Sequence, residues 1–390
     1  MRDKYDVIVV GAGPAGSTAA RFAAKGGANV LLLEKDREIG IPVRCAEGVS
    51  EEGLSAIVDI KPHWISKKII GVYLYSPSGK QVRAVSGQFG YVLNRKIFDY
   101  ELAQLAVDEG AEVLTKAYVN GIHHDNGTIT GVRARILGKE YSLRANIVIG
   151  ADGVESRIGR WGGIRTHTKL HDMESCAQVT AANINIEMDH CHFYFGRDTA
   201  PGGYAWVFPK GDGLANVGLG ISGDYAAKKS AVEYLYDFLS QRFPDAAMLT
   251  MIAGGVPCTA TLKKIVLDGL MLVGDAAHQA NPVSGGGIVS GMLGGKIAGE
   301  VASEAIGIGD FSQKNLSRYS KLWNKAEGYN HKRMYRVKEG IFKLSDSDLE
   351  HTADILLKLP EEKRTIIGIF KAGLAKHPKL ILDVMKVFSG

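Results

Sequence analysis

The glycine-rich segment near the N-terminus constrains the fold of this chain more than any other feature. Residues 5–10 (YDVIVV) form an apolar, β-branched run that is typical of a buried parallel strand. The sequence GAGPAG follows at 11–16, and an alanine-rich helical stretch, 17–25, leads to a second strand pattern, 28–33, that ends at Glu34. This order of strand, G-x-G-x-x-G turn, helix and strand predicts a Rossmann-type dinucleotide-binding fold.

Each glycine of this turn has its own expected task. Gly11 allows the tight turn, Gly13 lets the backbone approach a pyrophosphate, and Gly16 lets the helix pack closely on the strand. Ala15 lies within the same motif, where the helix N-terminus offers unpaired N–H groups to phosphates. Glu34 is placed to accept hydrogen bonds from a ribose diol. We therefore predict that all five residues bind the cofactor.

Two further strands also end in a glycine-flanked acid. Residues 147–151 lead to Asp152 and Gly153, and residues 270–274 lead to Asp275. Ligands of open α/β sheets sit at the carboxyl ends of strands, so these acids are expected at the same site. The glycines at 285–287 then lead into a helix at Ile288.

These segments together resemble the flavoprotein superfamily with the p-hydroxybenzoate hydroxylase fold. The resemblance implies FAD as the cofactor, with Asp152 and Gly153 near its pyrophosphate and Asp275 on its ribityl chain. It implies that Gly287 and Ile288 offer backbone N–H groups to the isoalloxazine ring.

The same resemblance implies two more FAD-binding positions. Arg95 matches an arginine that precedes a helix, expected here to begin near Asp99. Val119, on a strand predicted over 112–122, matches a position whose backbone meets the adenine.

Two shorter motifs narrow the resemblance to the geranylgeranyl reductase family. A C-x-x-G motif lies in RCAEG at 44–48, and YAWVFP at 204–209 is followed by G-L-G at 218–220. The family implies FAD-dependent reduction of C=C bonds in geranylgeranyl chains of archaeal membrane phospholipids, by hydride transfer from N5 of the reduced flavin. It places one group of residues near the flavin: Arg44, Cys45, Ala46 and Gly48. It places a second group at the prenyl chain: Tyr204, Trp206, Phe208, Gly218 and Gly220.

Cys45 is the candidate catalytic residue, and its role stays open at this level. Three roles are open: a small buried hydrophobic residue, a thiol in the wall that touches the flavin or the reacting alkene, or a thiol that donates a proton or takes part in redox chemistry. Water, Cys45 and a tyrosine are all candidate proton sources. The electron donor is likewise open between NAD(P)H and a reduced ferredoxin-like carrier.

The expected architecture is α/β, with a discontinuous FAD-binding domain, an antiparallel-sheet substrate domain and a helical C-terminal region. Short runs of alternating polar and apolar residues over 168–222 favour the antiparallel sheet. The predicted bounds for the FAD-binding domain are 1–66, 88–166 and 260–330. Those for the substrate domain are 67–87 and 167–259, and the helical region is 331–390.

The C-terminal segment beyond residue 360 has short amphipathic patterns that are rich in lysine. Two interpretations are open: packing on the substrate domain, or peripheral contact with an anionic membrane. No apolar run reaches the roughly 18 residues that span a bilayer. The expected location is the cytoplasm, free or at the inner face of the cell membrane.

Composition excludes some classes of partner. A net charge of +5 does not indicate nucleic-acid binding. The four cysteines show no C-x-x-C pair, and no metal site is expected. Two rival functions remain: a flavin-dependent aromatic monooxygenase or halogenase, and a flavin electron carrier or lipid-binding protein without chemistry.

Overall fold

The computed structural model describes residues 2–85 and 90–388. Its strands belong to three sheets, and two of these sheets combine strands that are far apart along the chain. In chain order the strands are β1 (Lys4–Val10), β2 (Val30–Leu33), β3 (Gly48–Ser50), β4 (Ile65–Ile69), β5 (Gly71–Tyr75), β6 (Gln81–Ala84), β7 (Gly90–Leu93), β8 (Glu112–Leu114), β9 (Ala117–Asp125), β10 (Thr128–Ile136), β11 (Lys139–Gly150), β12 (Met173–Ala182), β13 (His190–Tyr194), β14 (Tyr204–Gly211), β15 (Leu214–Ser222), β16 (Ala247–Pro257), β17 (Val266–Leu267) and β18 (Leu270–Leu272).

The helices cover the sheets and fill most of the C-terminal region. They are α1 (Pro14–Lys25), α2 (Glu51–Ser55), α3 (Arg95–Asp108), α4 (Arg157–Trp161), α5 (Ala231–Arg242), α6 (Ile288–Ile308), α7 (Gln313–Trp323), α8 (Tyr329–Ile341), α9 (Asp346–Lys358), α10 (Ile366–Gly373) and α11 (Pro378–Phe388). No helix within these described ranges is both long and apolar enough to cross a membrane.

An eight-stranded sheet holds the dinucleotide-binding elements. Its main path runs β17-β18-β11-β1-β2-β8, and the pairs along β18-β11-β1-β2-β8 are parallel. β11 is long because its first half pairs antiparallel with β10 and its second half pairs parallel with β1. The carboxyl ends of β1, β11 and β18 therefore meet at one edge, where ligands of such sheets bind.

A seven-stranded sheet forms the second layer, in the order β16-β12-β15-β14-β13-β5-β6. Its pairs are antiparallel, as predicted, except that β5 and β13 run parallel. The mixed α/β class and the helical C-terminal region predicted from the sequence are confirmed. The domain bounds stay predictions, and the predicted change between residues 87 and 88 lies outside the described residues.

Two local predictions were wrong. The strand predicted over 112–122 is two strands, because Lys116 adopts a left-handed φ of 50° and redirects the chain from a pairing with β2 to one with β10. The helix expected near Asp99 begins at Arg95, directly after the N-cap Asn94. An i,i+4 ion pair between Arg95 and Asp99 then supports the first turn.

Glycines allow α6 to lie directly against α1. A Cβ on Gly299 would be 2.5 Å from the carbonyl oxygen of Ala19, and one on Gly295 would be 2.2 Å from that of Ala15. Both distances are far inside van der Waals contact. The two backbones can therefore approach this closely only if these positions lack a side chain.

Gly299→Ala should lower the free energy of unfolding by about 1–3 kcal/mol or more, because the added methyl group meets backbone atoms that cannot move aside. Gly307→Ala is the matched control on the same helix, since a Cβ there has open space within the described structure. The control should leave stability unchanged or raise it by up to about 1 kcal/mol. Urea unfolding followed by circular dichroism measures both variants, and equal stabilities would contradict the packing argument.

A candidate flavin and lipid site

A large cavity of about 1350 Å³ lies between the carboxyl edge of the parallel sheet and one face of the seven-stranded sheet. Pockets for drug-sized ligands usually measure about 300–1,000 Å³, so this one has room for a cofactor and a second ligand. The following residues predicted from the sequence line it: Gly11, Gly13, Ala15, Gly16, Glu34, Arg44, Cys45, Ala46, Gly48, Arg95, Val119, Asp152, Gly153, Tyr204, Trp206, Phe208, Gly220, Asp275, Gly287 and Ile288.

The turn after β1 has the geometry of a phosphate cradle. Gly11 has a left-handed φ of 101°, and a Cβ there would be 2.4 Å from the carbonyl oxygen of Ala151. A Cβ on Gly16 would be 1.8 Å from the carbonyl oxygen of Gly11, so strand and helix touch at this point. Gly13 instead faces open space as far as the described atoms show. A ligand can therefore approach the backbone directly at Gly13.

Glu34 fixes the same turn. Its carboxylate oxygens accept hydrogen bonds from the backbone N–H groups of Ala12, at 2.8 Å, and of Asp36, at 2.9 Å. The side chain thus joins the end of β2 to the turn after β1. It also lines the cavity, where a ribose diol is expected.

Two helix N-termini open onto the cavity. Gly13 caps α1 and Gly287 caps α6, and neither N-terminus receives a side-chain cap from the residues described. Their N–H groups and the helix dipoles create positive potential at both points. That arrangement suits a pyrophosphate at α1 and an electron-rich ring edge at α6.

Two partly buried acids, Asp152 and Asp275, complete this part of the site. One carboxylate oxygen of Asp152, Oδ1, is buried and has no partner within the described part of the chain, while Oδ2 accepts from the N–H of Ile158 at 2.9 Å. Burial raises the pKa of Asp275 to about 6. An unpaired buried carboxyl oxygen is costly, so Asp152 fits a ligand that brings a hydrogen-bond donor. Asp275 lines the same cavity, where a ligand hydroxyl group can reach it. Cradle, uncapped helices and acids all fit FAD.

A buried carboxylate holds the loop that contains Cys45. Glu47, at a left-handed φ of 73°, accepts hydrogen bonds from the Arg95 backbone N–H at 3.0 Å and from the side chains of Lys210 and Asn216. Lys210 also donates to the carbonyl of Leu93 at 3.1 Å. The loop is therefore fastened to β14, β15 and the start of α3.

Cys45 is a neutral thiol in this setting. Burial raises its pKa, against the opposing effect of the Arg95 guanidinium. Its sulfur accepts a hydrogen bond from the Glu47 backbone N–H at 3.2 Å, and it lines the cavity. A thiol that keeps its proton suits a wall residue better than a nucleophile.

A hydrogen-bond relay connects the two predicted motifs. The indole N–H of Trp206 donates to Gln178 Oε1 at 2.9 Å, and Gln178 Nε2 donates to the carbonyl of Cys45 at 2.9 Å. Gly218 lies beneath this indole, and a Cβ there would be 2.6 Å from its ring. Gly218 was predicted to line the site. The structure places it under Trp206, where the absence of a side chain leaves space for the indole ring.

Tyr204 bridges the sheet and the loop before α6. Its hydroxyl donates to the carbonyl of Ser284 at 2.5 Å, and its ring lies 5.9 Å from that of Trp206 and 5.5 Å from that of Phe193. The centroid of the Phe193 ring in turn lies 5.5 Å from that of the Phe208 ring. These rings form a continuous aromatic wall on the sheet face.

The C-terminal helices extend the cavity into an apolar branch. Most of what they contribute to its wall is aliphatic or aromatic: Ile341, Phe342, Leu344, Leu349, Ala353, Leu356, Ile366, Ile369, Phe370 and Leu374, beside the polar residues Lys338, Asp346 and Thr352. The opposite wall is the sheet face around Val72, Leu74 and Val82. Of the two interpretations of this segment, packing on the substrate sheet is therefore seen directly.

Sequence reasoning missed several residues of the site. Glu174, Cys176 and Gln178 alternate along β12 and all line the cavity, and this period-two spacing was a usable signal. Lys338 also lines the cavity, from α8, and no local pattern marks it. Its place depends on contacts with residues far away in the sequence.

Fold and site together define an FAD-dependent oxidoreductase. Residues 6–200 match the sequence model of the family described as FAD dependent oxidoreductase, and residues 172–256 match the geranylgeranyl reductase catalytic domain. The chain belongs to the family of digeranylgeranylglycerophospholipid reductases. It is 45% identical over 392 residues to digeranylgeranylglycerophospholipid reductase 2 of Methanococcoides burtonii, covering 100% of this chain and 97% of that protein.

Solved structures agree with this assignment. A geranylgeranyl bacteriochlorophyll reductase-like protein from Thermoplasma acidophilum superposes with a TM-score of 0.92 at 36% identity, covering 99% of this chain and 100% of that one. A flavin-dependent brominase variant superposes with a TM-score of 0.74 at 17% identity, covering 99% of each chain. The second likeness shows the shared fold alone. The resemblance proposed from the sequence, and FAD as cofactor, are confirmed.

Lys210→Met should lower the free energy of unfolding by about 3 kcal/mol, because it leaves the Glu47 carboxylate buried without its cation. Lys229→Met is the control, since Lys229 pairs with Asp237 at the surface and should contribute less than about 1 kcal/mol. Urea denaturation measures both. A Lys210 variant no less stable than the control would show that the loop does not depend on this pair.

Proposed function

We propose that this protein reduces the C=C bonds of geranylgeranyl chains in membrane phospholipids, with FAD bound along the carboxyl edge of the parallel sheet. The observation that carries the proposal is the continuity of the cavity: a cradle for a dinucleotide opens directly into an apolar, aromatic-walled branch. The family relationship supports the substrate class, since the similar protein of Methanococcoides burtonii is named as a digeranylgeranylglycerophospholipid reductase.

The cofactor roles follow from the positions of the lining residues. Gly11, Gly13, Ala15 and Gly16 would hold the pyrophosphate, together with Asp152 and Gly153 from the end of β11. Glu34 and Val119 would meet the adenosine part, and Asp275 the ribityl hydroxyls. Gly287 and Ile288 would meet the ring, beside Arg44, Cys45, Ala46, Gly48 and Arg95. When bound and reduced, FAD supplies hydride to one carbon of the alkene.

The substrate roles fall to the aromatic wall. Tyr204, Trp206 and Phe208 would pack along the prenyl chain. Gly220 would leave space at the cavity surface, and Gly218 leaves space for the indole ring of Trp206. An isolated alkene is not polarised, so positioning and exclusion of water carry much of the rate acceleration. The Trp206–Gln178–Cys45 relay keeps this wall in register with the loop beside the flavin.

Mass spectrometry of a geranylgeranylated phospholipid incubated anaerobically with dithionite-reduced holoenzyme tests the function. The lipid should gain two hydrogens for each double bond reduced. Enzyme with oxidised flavin is the control and should leave the lipid unchanged. Replacing dithionite by NAD(P)H or by a reduced ferredoxin-like carrier then identifies the electron donor.

Two other outcomes would point elsewhere. An unchanged lipid, with oxygen and NAD(P)H consumed on an aromatic substrate, would support a monooxygenase or halogenase. A lipid that binds and is recovered unchanged after flavin reduction would support a carrier or lipid-binding protein without chemistry.

We further propose that the protein works at the cytoplasmic face of the membrane and contacts it through α11. Leu382 and Met385 are exposed on this helix, and Lys379 and Lys386 are exposed about one turn before and after Leu382. An exposed apolar row between lysines suits the interface of an anionic bilayer. A substrate that resides in the bilayer makes such a contact useful.

Lys379→Glu/Lys386→Glu should weaken binding to phosphatidylglycerol vesicles by about 2 kcal/mol or more, about 30-fold, because each lysine near such a surface contributes about 1 kcal/mol. Vesicle co-sedimentation measures the affinity. Lys314→Glu/Lys321→Glu is the control, with the same spacing on exposed positions of α7. Equal affinities for both variants, or no binding by the wild type, would contradict contact through α11.

A further inference from the structure

Glu174 lies on the cavity floor, on the same face of β12 as Cys176 and Gln178. The register pairs Glu174 with Ser222 on one side and Val256 on the other. A Cβ on Gly203 would be 3.1 Å from Glu174 Oε2, so the carboxyl group lies beside the backbone that leads into Tyr204. Glu174 is therefore part of the aromatic, lipid-facing side of the cavity.

This carboxyl group is buried and poorly satisfied. The residue is only 9% exposed, and its Oε2 is buried with no hydrogen-bond partner in the portion of the chain that is described. Burial raises the pKa of Glu174 to about 7, against the opposing effect of the nearby Lys338. A carboxyl group in this setting keeps its proton below about pH 7 and is still about half protonated at neutral pH.

Lys338 does not neutralise Glu174, although its charge opposes the rise in the pKa of Glu174 more than that of any other group. Its ammonium group donates to Asp172 Oδ1 at 3.1 Å and to the carbonyls of His171 and Cys258, at 3.1 and 2.9 Å. An ammonium group has three N–H donors, and these acceptors use all of them. Within the described ranges, the charged and titratable groups that face Glu174 are Lys338 from α8, His171 and Asp172 before β12, Cys176 on β12, Cys258 after β16 and Tyr204 on β14.

The thiols of the cavity and the hydroxyl group of Tyr204 hold their protons more tightly than Glu174 does. Burial raises the pKa of the Cys45 and Cys176 thiols. Burial also raises the pKa of Tyr204, whose hydroxyl hydrogen is already committed to the carbonyl of Ser284. A general acid works best when its pKa lies near the working pH, and among these groups Glu174 meets that condition.

We propose that Glu174 is the proton donor of the reduction, an assignment that rests on the proposed function. Its carboxyl O–H bond breaks, and the proton forms a C–H bond at the alkene carbon that does not receive hydride. The electron pair for this bond is the former π pair of the alkene. The hydride and its electrons come from reduced FAD, and the Glu174 carboxylate regains a proton from water before the next turnover.

Glu174→Gln in the holoenzyme tests the assignment, because the amide keeps the shape and removes the acidic proton. With a dithionite-reduced flavin and a geranylgeranylated phospholipid, turnover should fall about 100-fold or more. Glu174→Asp should restore part of it. Wild-type turnover should decrease as pH rises through about 7, since the protonated form is the active one, and this decrease should vanish from the residual activity of Glu174→Gln.

Infrared spectroscopy gives a readout that needs no turnover. The wild-type holoenzyme should show a carboxylic acid C=O band that disappears as pH rises through about 7, and Glu174→Gln should lack it. Glu140→Gln, at an exposed carboxylate on β11, is the matched control and should keep both the band and the activity.

Full activity with an unchanged pH profile in Glu174→Gln would overturn the proposal. So would a variant that is slow but keeps the wild-type pH dependence, which would indicate a structural role. If the wild-type enzyme does not reduce the lipid at all, the result refutes the proposed function instead. In that case the infrared band still reports whether Glu174 holds a proton at neutral pH.

Discussion

The rest of this structure depends on backbone contacts around the first turn of α1. Gly16 lets the helix rest on the turn after β1, and Gly295 and Gly299 let α6 rest on the other side of α1. The two helices then start at the same edge of the sheet and direct their free N–H groups into one cavity. Side chains at these glycines would separate the helices and move the two ends of the cofactor site apart.

Sequence patterns predict the parts of this site whose geometry is local. The turn at Gly11–Gly16 comes directly after the apolar run of β1. The two acids come within a few residues of the ends of β11 and β18, and three glycines mark the start of α6. Lys116 could not be predicted in the same way, because the break between β8 and β9 arises from two different pairing partners. Gly218 was assigned to the right motif, but its contact with Trp206 depends on the register between β14 and β15.

Glu174 shows where prediction from a single sequence stops. Its spacing from Cys176 and Gln178 marks a common strand face. Its chemical character depends on Lys338, which is far away in the chain and fully occupied by two carbonyls and Asp172. A nearby cation normally suppresses the pKa of a buried carboxyl group, and here the hydrogen bonds of that cation direct it elsewhere. Only the three-dimensional arrangement reveals this.

The parallel pairing of β5 with β13 has a consequence for how the chain is made. β5 and β6 leave the ribosome long before β13, to which β5 must pair. At usual synthesis rates of about 5–20 residues per second, this early hairpin waits on the order of ten seconds with its sheet edge uncovered. This edge of the sheet is thus paired only after half of the chain has been made, and an unpaired edge of this kind invites association with other nascent chains.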